Sequence, residues 1–129
     1  MLNIIDSDFS SSSLSPTALA FVGDTVFDLL VRSELVIEAN RPVGQLHKAA
    51  SERVCAAAQS EYAKKLLEHL NGEELETFKR GRNAHTGRPK NQSMADYHYA
   101  TGFECLLGKL YLDKRFDRIK ELYEIIKAE

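Results

Sequence analysis

The sequence of 129 residues predicts a single all-α domain of about six or seven helices. Three observations lead there. Apolar residues recur at spacings of three and four through most of the chain, no run reads as a convincing strand, and only three Pro and seven Gly interrupt the pattern. A chain of this length can bury a core of its own. Residues 1–13 are polar and Ser-rich and are expected to form a loosely held tail, with residues 14–129 as the folded domain.

The elements follow in order. Ser15 and Pro16 open the first helix, Ser as N-cap and Pro at a position where its missing N–H costs nothing. Its stripe of Leu19, Val22, Val26, Leu29 and Leu30, widened by Phe21 and Phe27, predicts a helix to about Arg32 that is central or lies at a subunit interface. Asn40-Arg41-Pro42 breaks the chain and opens an Ala-rich helical stretch from Leu46 to Ala58, and another helix runs through Tyr62, Leu66, Leu67 and Leu70. Asn71-Gly72 stops it. Glu73, Glu74 and Glu76 then suit the first turns of a helix that ends near Arg82, where the dipole favours anions. Gly87 and Pro89 place a loop over 83–93. Helical patterns resume from Met94 to Leu112 and again through Phe116, Ile119, Leu122, Ile125 and Ile126.

Several classes are excluded. No apolar run approaches the ~20 residues of a membrane span, and the N-terminus has no signal-peptide pattern. Cys55 and Cys105 fall in helical patterns and are expected as small core residues; two cysteines make no disulfide framework, which points to a reducing cytoplasm. The net charge of −2 conceals an asymmetry: Lys79, Arg80, Arg82, Arg88 and Lys90, with His85, form a segment without a single acid. One cationic segment on an acidic body points to a polyanion partner.

Two acids stand out. Asp24 lies in Phe21-Val22-Gly23-Asp24-Thr25-Val26-Phe27, where helical spacing is expected to keep it near the core, and Glu104 lies in a second apolar helix. Moving an ionised carboxylate out of water costs several kcal/mol unless it is compensated, by roughly the magnitudes of polar transfer. Ala20 stands one turn before Asp24, and Ala100 and Gly108 flank Glu104, leaving space for an ion or a close helix contact. Gly102 and Gly108 each cost about 1 kcal/mol within a helix, which also suggests a close approach. Oxygen-only ligands with open positions suit Mg²⁺ or Mn²⁺, whereas His47, His69, His85 and His98 are too scattered for a zinc site. An ordinary ion pair or helix cap is the alternative for each acid.

Gly23-Asp24 and the run Phe103-Glu104-Cys105-Leu106-Leu107-Gly108-Lys109-Leu110-Tyr111-Leu112 resemble the nuclease domain of the ribonuclease III family. Arg41-Pro42, Leu46-His47-Lys48, Lys79-Arg80-Gly81-Arg82-Asn83-Ala84 and Pro89-Lys90-Asn91 match, in order and spacing, its short bacterial Mini branch. The chain ends soon after its last predicted helix, so no appended double-stranded-RNA-binding domain is expected, another mark of that branch.

The resemblance implies the ribonuclease III endonuclease fold, a homodimer with one site per protomer, and Mg²⁺-dependent hydrolysis of both strands of duplex RNA, with Mn²⁺ a possible substitute. It also implies a ribosomal RNA precursor of the large subunit (23S) as substrate. Asp24 and Glu104 match the family's aspartate and glutamate metal ligands. Two family carboxylates fall on Ala20 and Thr101 here, so one cation is the secure expectation. Asp28, one turn beyond Asp24, could orient water or be a surface acid. RNA contacts are expected from Lys79, Arg80, Arg82, Asn83, His85, Arg88, Lys90 and Asn91, with His47 and Lys48 extending the footprint. Two alternatives remain at this point: an RNA-binding protein that keeps the fold without chemistry, and an all-α metal-dependent nucleotide pyrophosphatase.

Overall fold

The structure is a computed structural model, which describes residues 10–84 and 93–128. Among those residues it contains six α-helices and no strand: α1 (Pro16–Glu38), α2 (Val43–Val54), α3 (Ala56–Leu66), α4 (Gly72–Arg82), α5 (Met94–Leu112) and α6 (Phe116–Lys127). The expected fold class is therefore observed.

Local chemistry explains the helix starts. The Ser15 hydroxyl accepts from the N–H of Ala18 at 3.1 Å, with Pro16 at the first helical position. Asn71 and Glu74 form a reciprocal capping box at the start of α4: the Asn71 side chain accepts from the N–H of Glu74 at 2.8 Å, and the N–H of Asn71 donates to Glu74 Oε1 at 3.0 Å. Ser93 accepts from the N–H of Asp96 at 3.0 Å and opens α5.

Helix α5 is the axis of the domain, with α1, α3 and α4 packed around it. Its residues Phe103, Cys105, Leu106 and Leu107 are all buried. Phe27 of α1 meets Phe103 edge to face, centroids 4.9 Å apart, and Tyr62 of α3 closes on both rings. Phe78 of α4 packs against Tyr99. Arg118 of α6 ties this layer together: its Nε and Nη2 donate to the two oxygens of Glu74 at 2.8 and 2.9 Å, and Nη2 also donates to the carbonyl of His69 at 2.7 Å. Glu74 is only 5% exposed, and the Arg118 guanidinium beside it holds its carboxyl below the usual range.

Three sequence expectations are corrected. Helix α1 continues past Arg32 to Glu38, because Val31 and Leu35 remain on its buried face. The Ala-rich stretch is two helices: Cys55 breaks it with an extended backbone (φ −67°, ψ 161°) and is exposed rather than a core residue. Cys105 is buried as expected. Ser11, placed by its composition in the N-terminal tail, is buried; its hydroxyl donates to Asp113 at 2.5 Å and accepts from Lys109 Nζ at 2.9 Å.

Glycine sets the closest helix contact. A methyl group built on Gly23 would lie 1.7 Å from the carbonyl oxygen of Glu104, and one built on Gly108 would lie 1.9 Å from the carbonyl oxygen of Leu19. Backbone meets backbone where α1 crosses α5, and no side chain fits between them. Gly23→Ala is expected to destabilise the protein by about 3 kcal/mol or more, at the upper end of overpacking costs, as a lowered urea midpoint. An unchanged midpoint would contradict this crossing.

Candidate active site

The α1–α5 crossing positions the two acids singled out by the sequence. Gly23 rests on the backbone of Glu104, so Asp24 is one residue from the contact on α1 and Glu104 forms the contact on α5. Their carboxyl groups are within hydrogen-bonding reach of each other. Asp24 is exposed, contrary to the burial expected from its apolar neighbours; the glycine, not the aspartate, faces α5. Glu104 is the partly buried member of the pair.

This arrangement is electrostatically unfavourable for two anions. Burial, then the nearby charge of Asp24 and the hydrogen bond that protonated Glu104 donates to it, push the Glu104 carboxyl up to about 8; a hydrogen bond from Gln59 opposes them. The site is completed by a cleft of about 240 Å³ lined by Glu104, Gln59, Cys55, Tyr97 and Thr101, among others. Gln59 is 2% exposed. Its Nε2 donates to the carbonyl of Val54 at 3.0 Å, whereas its Oε1 has no hydrogen-bond partner.

The donor set fits a hard divalent cation. Two crowded carboxyls and an orphaned amide oxygen are all oxygen donors, and Asp24 leaves the site open to solvent. No cluster of three or more His, Cys, Asp or Glu side chains occurs among the described residues, so a cation held here would keep several waters.

Neither Ala20 nor Thr101 adds a charge to the site. Ala20 is buried in an apolar cluster with Leu19 and Cys105, and the Thr101 hydroxyl donates to the carbonyl of Tyr97 at 3.0 Å on its own helix. Asp28 forms an ion pair with Arg32 at 2.9 Å.

The basic candidates fall into three groups. Gly81 packs against Thr101, Gly102 and Cys105, so α4 carries Lys79, Arg80 and Arg82 alongside the Glu104 segment. Lys79 and Arg80 are exposed, and Arg82 Nε donates to Asn83 Oδ1 at 3.2 Å. His47 and Lys48 are exposed on α2, where His47 lines a separate groove with Arg32 and Val36. His85, Arg88, Lys90 and Asn91 lie outside the described residues. Gln59 was missed by the sequence reading. Its signal was the one that drew attention to Asp24: a polar residue on an apolar stripe, here the buried row of Gln59, Ala63 and Leu66.

A helical domain with paired acids at a glycine-mediated crossing has the architecture of a ribonuclease III nuclease domain, and residues 17–115 match the Ribonuclease III domain family. The chain is similar to Mini-ribonuclease 3 of Thermoanaerobacter sp., at 45% identity over 88% of this chain and 80% of that protein, and to Mini-ribonuclease 3 of Clostridium tetani, at 38% identity over 88% and 76%. A crystal structure of a Fusobacterium nucleatum protein superposes with a TM-score of 0.81 at 30% identity, covering 88% of this chain and 92% of that one. The chain belongs to the Mini-ribonuclease III branch of the ribonuclease III family.

The elevated Glu104 carboxyl gives a pH prediction for the cation-free protein. The folded chain keeps a proton on Glu104 that the unfolded chain has released, so this group's stability is lost as pH rises from about 4.5 to about 8. In chelator, Glu104→Gln is expected to melt at least about 4 °C above the parent near pH 9, a shift worth about 1 kcal/mol or more, and to converge with it in acid. Parallel melting curves across this range would contradict the crowding of the two carboxyls.

Proposed function

We propose that this ribonuclease is a Mg²⁺-dependent endonuclease that cuts both strands of duplex RNA as a homodimer, with a precursor of large-subunit (23S) ribosomal RNA in the cytoplasm as its substrate. The observation that carries this reading is the meeting of Asp24 and Glu104 at one point on the surface, in a chain of this family. Mn²⁺ satisfies the same oxygen donors and is expected to substitute.

A divalent cation bound here would acidify water and neutralise charge on the reacting phosphate. The chain's own residues have defined tasks. Asp24, exposed, offers an oxygen on the side from which RNA arrives. Glu104 would give up its proton to a cation that relieved its repulsion from Asp24. Lys79, Arg80 and Arg82, on the helix packed beside Glu104, hold the phosphate backbone, and Asn83 can donate to phosphates or 2′-hydroxyls. His47 and Lys48 are assigned a peripheral role.

The homodimer is supported by the outer face of α1. Phe21 (81% exposed), Leu29, Val36 and Ile37 leave large apolar side chains in solvent on the helix that carries Asp24. A second protomer on this face would place two sites near one duplex. No helix among the described residues is long and apolar enough to cross a membrane.

The decisive assay is cleavage of long duplex RNA with and without Mg²⁺. Asp24→Asn is expected to lower turnover by about a hundredfold or more while leaving RNA binding intact. Residual turnover within about tenfold of the parent would refute the cation site. RNA affinity, measured in chelator, is expected to fall steeply with salt. Arg80→Ala should shallow the log–log slope by about one, the loss of a single phosphate contact. An affinity indifferent to salt would remove α4 as the anchor.

A further inference from the structure

We propose that Gln59 is the third oxygen donor of the cation site, its Oε1 accepting from the hydration shell of the divalent cation that Asp24 and Glu104 hold. The inference rests on the functional reading above and concerns a residue outside the carboxylate set. Three observations carry it. The Gln59 side chain is buried, lines the cleft that contains Glu104, and has a side-chain oxygen without any partner. An unpaired buried carbonyl of this kind is costly, so it persists where a ligand satisfies it.

The amide has little rotational choice. Cys55 breaks the chain between α2 and α3, and Gln59 Nε2 satisfies the Val54 carbonyl at that break. With the nitrogen so engaged, the oxygen is the atom left over. Exchanging the two would set carbonyl against carbonyl at Val54. The same break thus orients Gln59 in the cleft that Glu104 also lines. An amide oxygen suits the hydration shell of a hard cation, and outer-shell partners of this kind typically change metal affinity by about ten- to a hundredfold.

The test is Mn²⁺ binding to the RNA-free protein, measured by calorimetry and by the loss of the free-ion electron paramagnetic signal. Gln59→Met, which keeps the shape and removes both polar atoms, is expected to weaken Mn²⁺ binding by about tenfold or more. Gln59→Leu also removes the oxygen and is expected to weaken binding by a similar factor, which keeps the test open if Gln59→Met fails to fold by circular dichroism. Binding within twofold of the parent by either folded variant would overturn the proposal. Asp24→Asn separates the two levels. If Asp24→Asn loses Mn²⁺ and Gln59→Met does not, the cation site stands without Gln59. If the parent binds no Mn²⁺, both inferences fall together.

Discussion

The backbone contact between Gly23 and Glu104 governs most of this molecule. Two helices with ordinary side chains at their crossing stay 8–10 Å apart, roughly the interaxial distance of packed helices. Glycine on both sides of the α1–α5 contact removes that spacing, leaving the carbonyl of Glu104 against Gly23 and that of Leu19 against Gly108. Asp24 and Glu104 can then share one site although eighty residues separate them in sequence. Helical glycine lowers local stability, and the burial of Phe27 against Phe103 just beyond the crossing offsets that cost.

The same device recurs where α4 meets α5. Gly81 and Gly102 bring α4 against the central helix, with Phe78 filling the space beside Gly102. One contact assembles the acids and the other draws the basic end of α4 towards them. Both kinds of charge thus stand on helices that meet at α5. Rigid helices held at glycine contacts keep Lys79, Arg80 and Arg82 on one element and the carboxyls on two others.

Much of this was legible in the sequence because it is encoded locally. Ser15-Pro16 and the acids after Asn71 announce helix starts through hydrogen bonds made within four residues. Gly108 next to Glu104 announced a close approach because glycine in a helix has few other uses. What escaped depended on tertiary partners. The burial of Asp24 was misjudged because its neighbours are apolar for two different reasons: Phe27 fills the core, while Phe21 faces outward. The end of α1 was placed early because its extension is stabilised by the packing of Val31 and Leu35 rather than by propensity. The break at Cys55 has no Gly or Pro to mark it; a side chain four residues further on satisfies the freed carbonyl.

The economy of the site follows from these constraints. Ala20 is committed to the core, and Thr101 lines the cleft with a hydroxyl bonded to its own helix, so neither position carries a charge here. The two remaining acids repel each other, and Glu104 answers by holding a proton up to about pH 8. A divalent cation bound through this pair below that pH would have to displace the proton. A site with more fixed carboxylates would bind such a cation more tightly but crowd more charge into the fold. With two acids and one neutral amide, this chain limits that repulsion, and the amide oxygen of Gln59 adds an acceptor without adding a charge.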